Sequence, residues 1–212
     1  GTTRPVLAAN VYFWLGDYYQ GQGKFNEAET HYLKIPELYP ETKDAPVALY
    51  AAARVAYERA MADNQNPVDL ARAAALLLQL DDRYAKAADR LKAQALFLSG
   101  DILSLKGDFK AAALQFEAAS RLVPRTSLHY AALGRKAECH ALLATKGGED
   151  RAKQYDQALA LLQQIIDADG AGETLAALKT KASYRKARIL EGNGERAKAI
   201  TEYDVIFHSF RA

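Results

Sequence analysis

The sequence predicts an all-α fold, an α-α superhelix wound as a solenoid of about five helix–turn–helix units. Three observations carry that reading. Half of the 212 residues are hydrophobic and a quarter are charged, with alanine, leucine, lysine, glutamate and arginine dominant, a composition that favours helix. Runs of Val, Ile and Thr with period two are absent, so no sheet is expected. A spacing of small, aromatic, glycine and proline positions recurs along the chain, as repeat architectures require.

The first unit, about residues 9–42, opens with glycine inside a helix, at Gly16. Glycine there costs roughly 1 kcal/mol relative to alanine. Tyr19, Gly23, Phe25, Ala28, Tyr32, Ile35 and Pro40 follow at fixed offsets. The third unit, about 93–126, repeats those offsets from Gly100 through Leu103, Gly107, Phe109, Ala112, Phe116, Ala119 and Pro124. Between them a unit at about 46–83 has Ala53 in the glycine's place, with Asn66 a predicted N-cap and Pro67 a predicted first helical residue. The fourth, about 127–169, starts around Gly134 and resumes at Tyr155, Ala158, Leu162 and Ile165. The fifth, about 173–210, runs through Ala187, Leu190, Gly194, Ala199, Tyr203 and Ile206. Insertions are expected at Met61–Pro67 and Thr145–Lys153, and Pro36 is expected to kink its helix or end it early.

This pattern resembles the tetratricopeptide repeat (TPR), a 34-residue helix–turn–helix unit. The resemblance implies one TPR-like solenoid domain over 1–212, of about ten helices stacked in antiparallel pairs. Gly16, Gly100, Gly134, Ala53 and Ala187 then lie where the two helices of a unit cross, opposite Ala28, Ala112, Ala158 and Ala199. Tyr19, Tyr32, Phe116 and Tyr203 fill the space around each crossing. The packing gained offsets the local cost of glycine.

In such stacks the first helix of each unit lines a concave side. Residues three before, one after and four after the small anchor share one helical stripe. They give an aromatic row at Phe13, Tyr50, Phe97 and Tyr184, broken by Ala131; a charged row at Asp17, Arg54, Asp101, Arg135 and Arg188; and Gln20, Tyr57, Ser104, Glu138 and Glu191. Aromatic anchors beside charges suit peptide or helix recognition. The competing reading packs each aromatic against the neighbouring unit.

Chemistry is sparse. His31, His129, His140 and His208 make no metal-like spacing. Cys139 and His140 are helical neighbours whose side chains diverge by about 100°. Asp81-Asp82-Arg83 reads as a loop, and Lys146-Gly147-Gly148 lacks the rest of a phosphate loop. No catalytic residue, metal or cofactor is expected. A net charge of +2 is too balanced to call for nucleic acid. The basic cluster Lys179, Lys181, Arg185, Lys186 and Arg188 reads as a solvated face. No apolar run is long enough to span a bilayer.

The leading expectation is therefore a non-enzymatic scaffold for a protein or peptide partner. "YPETKDAPVALYAAARVAYE", Tyr39 to Glu58, looks like junctions in TPR domains of bacterial envelope proteins, including the Tol–Pal-associated and outer-membrane-assembly lipoprotein families. That favours the periplasm or envelope, with the cytoplasm open. The chain lacks an initiator methionine and ends abruptly, so a fragment of a longer protein is expected. A regulatory or substrate-recruiting domain of a larger enzyme or transcription regulator is the alternative. A third reading is self-association through the C-terminal helix, which ends in Val205, Ile206, Phe207 and Phe210.

Overall fold

A computed structural model describes residues 3–146, 150–170 and 172–209. Those residues form ten α-helices and no strand. They divide into two compact units, residues 1–105 and 106–212. The first contains α1 (Thr3–Gly21), α2 (Phe25–Leu38), α3 (Asp44–Ala62), α4 (Pro67–Arg83) and α5 (Asp89–Leu105). The second contains α6 (Phe109–Leu122), α7 (Ser127–Thr145), α8 (Arg151–Ile166), α9 (Glu173–Gly192) and α10 (Arg196–Ser209). Consecutive helices α1 to α4 pack pairwise in the first unit, as do α6 to α10 in the second.

Local chemistry sets the boundaries. At the end of α1, Gly23 takes φ +71°. The Lys24 N–H reaches the Tyr19 carbonyl at 3.0 Å and the Gly23 N–H reaches that of Gln20 at 2.9 Å. This is the paired 6→1 and 5→2 closure that wants a left-handed glycine. Gly194 (φ +84°) closes α9 in the same way, through Glu195 to Leu190 and Gly194 to Glu191. Asn66 caps α4 as expected, its Oδ1 accepting from the Val68 N–H at 2.9 Å. Asp108 and Thr126 do the same for α6 and α7. Pro36 lies in the last turn of α2, which ends two residues later. Its carbonyl accepts from Arg83 Nη2 at 2.8 Å.

Two expectations change. The inserted Met61–Pro67 divides between the end of α3 and a link: α3 runs nine residues past Ala53, where α1 runs five past Gly16. The extra length is one added turn, and Asn64 and Gln65, both at positive φ, make the short link to Asn66. α7 likewise runs on to Thr145; residues 147–149 of the second insertion lie outside the described residues. Asp81-Asp82-Arg83 is the last turn of α4, not a loop.

The core is built from small residues. Ala28, Ala53, Ala112, Ala158, Ala187 and Ala199 are all buried, and Tyr32 and Phe116 are fully so. At Gly16 an added Cβ would lie 2.5–2.7 Å from three ring carbons of Tyr32; real Cβ atoms do not approach so closely. The α1–α2 crossing is thus glycine-dependent for the reason the sequence supplied. Gly134 is different. Its missing Cβ leaves room for Arg185 of α9, whose Nη1 would be 2.8 Å away, with Ile165 of α8 at 3.7 Å. The gap is filled by a guanidinium from the next repeat.

Candidate functional site

In the first unit α3 packs beside both α1 and α5, so the predicted stripe residues of these helices share one neighbourhood. Tyr32, from α2 beneath, donates its hydroxyl to Asp17 Oδ1 at 2.5 Å, with Gln20 Oε1 sharing the same proton at 3.0 Å. Gln20 donates through Nε2 to Glu58 Oε2 at 2.6 Å and accepts from Arg54 Nη2 at 3.2 Å. Arg54 also pairs with Glu58, at 3.4 Å. Asp17, Gln20 and Arg54 therefore belong to one network tied to the core by Tyr32. Glu58 completes it, and the stripe rule missed it because it lies five residues past Ala53.

The aromatic row is less open than a bare pattern implies. Phe13 sets its ring edge-on to Tyr32, centroids 5.3 Å apart. Phe13, Tyr50 and Tyr57 are half-buried, packed against the core of this unit. Burial pushes the Tyr50 hydroxyl above its usual range, with Arg54 pulling it down and Asp101 of α5 pushing it up. Burial also raises Tyr32, and the bond to Asp17 raises it further. Both phenols stay neutral and can donate. Phe97 and Asp101 are half-buried on α5.

In the second unit, Arg135 donates to Glu138 at 2.7 Å, and Glu138 also pairs with Arg185. Burial pushes the Arg185 guanidinium down from its usual range, against the pull of Glu138. Arg135 lies over the Phe116 ring, 5.7 Å from its centre. Tyr184 is exposed and accepts from Arg188 at 3.3 Å, while Glu191 faces Arg188 at 3.9 Å and takes the Tyr203 hydroxyl at 3.2 Å. The basic cluster is thus only partly a solvated face. Arg185 and Lys186 bridge helices, Lys186 to Gln163 and Glu202.

A further cavity of about 570 Å³ lies between α6 and α8 over α7, lined by Leu114, Glu117, Lys136, His140, Gln154 and Leu161 among others. His140 Nδ1 meets Gln154 Oε1 there at 2.7 Å, whereas neighbouring Cys139 is buried; the two side chains diverge as their helical spacing requires. Among the described residues no group of three His, Cys, Asp or Glu side chains is placed to hold a metal ion. No described helix is long and apolar enough to cross a membrane.

The tetratricopeptide repeat family matches residues 9–42. No curated protein matches the chain. Among solved structures, a crystal structure of the MamA protein is 14% identical, with TM-score 0.63, over 95% of this chain and 91% of that one. The nearly identical TPR-like repeats of a Podosopora anserina kinesin light chain are 16% identical, with TM-score 0.66, over 94% and 93%. Residues 9–42 thus match the tetratricopeptide repeat family, and the ten helices share the all-α fold of TPR-like repeat proteins.

Proposed function

We propose that the α1–α3–α5 face binds an extended or helical segment of a protein partner, and that the chain is a non-enzymatic scaffold. TPR-like folds generally mediate protein–protein interactions. One observation supports placing the site here: Gln20, Arg54 and Glu58 from neighbouring repeats already satisfy one another around half-buried Tyr50 and Tyr57. Side chains ordered before binding lower the entropy lost on association. Rings anchored at the base supply contact area, and the charges set register.

The face carries Asp17, Glu58 and Asp101 against Arg54. Carboxylates outnumber cations, so the segment it favours contains lysine or arginine. The resemblance of the Tyr39–Glu58 stretch to envelope-protein junctions supports a bacterial envelope setting for this role.

Selection of displayed random peptides against the chain tests the site. Enriched peptides are expected to be basic and to lose affinity with added salt. The Arg54→Glu/Tyr50→Ala variant, checked for an unchanged helical signal, should lose them. Peptides that bind this variant as well as the wild type would refute the assignment.

A further inference from the structure

We infer that the outer face of α1 is a self-association seam, along which two copies of this chain pair helix to helix and antiparallel. The inference does not depend on the peptide site, because it concerns the opposite side of the helix. α1 turns Ala9, Phe13, Gly16 and Gln20 toward its own unit. Its other side presents Leu7, Val11, Trp14 and Tyr18, which are 59, 58, 63 and 49% exposed. Steps of four, three and four residues keep them within about 60° of arc, the spacing by which helices pack along a shared seam. Asp17 is the one charged residue from Val6 to Gly21.

The row exposes on the order of 500 Å² of apolar surface, at the upper end of what a monomer leaves uncovered. Two such faces together bury about 1,000 Å², the lower bound for a specific interface. An interface at that bound is expected to pair weakly and reversibly.

The residue pattern suits a second copy. Steps of four, three and four read the same in both directions. A two-fold axis passing between Val11 and Trp14 therefore sets Leu7 opposite the second copy's Tyr18, and Val11 opposite its Trp14. Each small side chain meets a large one, the self-complementarity a two-fold interface demands. Trp14 and Tyr18 are already stacked, centroids 5.4 Å apart and planes 14° from parallel. Both are residue types that anchor interfaces, and their order before pairing reduces its entropic cost.

Trp14 is the only tryptophan, so its emission reports on the seam directly. Sedimentation equilibrium of the 212-residue chain should show reversible monomer–dimer exchange as concentration is raised. Tryptophan emission should shift to shorter wavelength over the same concentrations. Trp14→Ala, with its helical signal retained, should weaken pairing at least about 30-fold; Val11→Asp serves if that variant fails to fold. Mixed Leu7→Cys and Tyr18→Cys chains should cross-link to each other faster than either does alone. A monomer with unshifted emission at the highest attainable concentration would overturn the proposal. So would a dimer indifferent to Trp14→Ala and Val11→Asp, or preferential cross-linking of Leu7→Cys with itself.

Discussion

Replacing Gly16 by alanine should destabilise the protein, although helix propensity alone predicts the reverse. In an exposed helix interior the exchange gains about 1 kcal/mol. Here the new methyl would lie 2.5, 2.6 and 2.7 Å from Cε1, Cδ1 and Cζ of Tyr32, where carbon atoms want about 3.5–4.0 Å. The ring must move by about 1 Å to restore that spacing, and it is fully buried. Its hydroxyl is held by Asp17 and Gln20, and Gln20 is held in turn by Glu58 and Arg54. Retreat of the ring breaks those bonds; retreat of α1 opens the crossing. Overpacking costs about 1–3 kcal/mol, and losing a hydrogen bond to a carboxylate about 1.5–3 kcal/mol. Less the propensity gain, the net loss is about 1.5–5 kcal/mol.

Urea denaturation followed by circular dichroism measures that loss. A second background isolates its cause. Tyr32→Phe removes the hydroxyl anchors, so the ring can slide, and Gly16→Ala should then cost at least about 1 kcal/mol less. A rise in midpoint for Gly16→Ala would refute the crossing. An equal loss in both backgrounds would refute the part assigned to the anchored hydroxyl.

Glu29 carries a second prediction. It is buried, accepts from Arg59 at 2.9 Å and Arg72 at 2.7 Å, and Arg59 is shared with Asp69 and Asn26. Glu29→Gln keeps the shape but leaves two guanidinium groups short of a counter-charge, and should cost about 2–3 kcal/mol; the usual 3–5 for a buried pair is reduced because Arg72 is half exposed and Arg59 keeps Asp69. A midpoint shift worth less than about 0.5 kcal/mol would show the pairs to be nearly neutral. Glu117 gives a pH dependence. The hydrogen bond from Lys136, then the charges of Lys136, Arg121 and His140, hold its carboxyl below the usual glutamate range. A depressed carboxylate stabilises the fold above the unfolded value, about 4.3, and loses that contribution as pH falls through the lower folded value. Wild type should therefore melt above Glu117→Gln at neutral pH, with the gap closing in acid; a gap independent of pH would sink the assignment.

Features that depend on nearby sequence were readable, and those that depend on distant side chains were not. Gly16 with Tyr32, the glycine closures at Gly23 and Gly194 and the Asn66 cap all act within one helix–turn–helix pair. There, spacing fixes which atoms meet. Gly134 shares the same register, yet its space is taken by Arg185, fifty-one residues later. A long cation selects its partner by reach, and helical periodicity does not record reach. The same holds for Lys186 with Glu202, read from sequence as part of a solvated cluster. Of the stripe residues, Asp17, Gln20 and Arg54 meet as their spacing implies. Glu58 was missed, because pairing through Gln20 rather than the stripe rule brings it in. The extra turn of α3 was read as an insertion because Met61–Pro67 mixes a helix end with its link, and residue type alone does not divide the two.

The two proposals use opposite sides of α1, and this makes them separable. Gln20 and Asp17 on one side are committed to Tyr32, Arg54 and Glu58; a ligand there must match polar groups of fixed direction. The row Leu7, Val11, Trp14 and Tyr18 is aliphatic and aromatic, so what covers it is selected by shape and apolar area. Trp14→Ala touches no atom of the Gln20 network, and Arg54→Glu touches none of the outer row. Sites without shared partners and separated by the body of a helix should respond additively. Peptide affinity should therefore survive Trp14→Ala, and pairing should survive Arg54→Glu. If either variant abolished both activities, α1 would be transmitting strain between its faces, and the division of labour drawn here would fail.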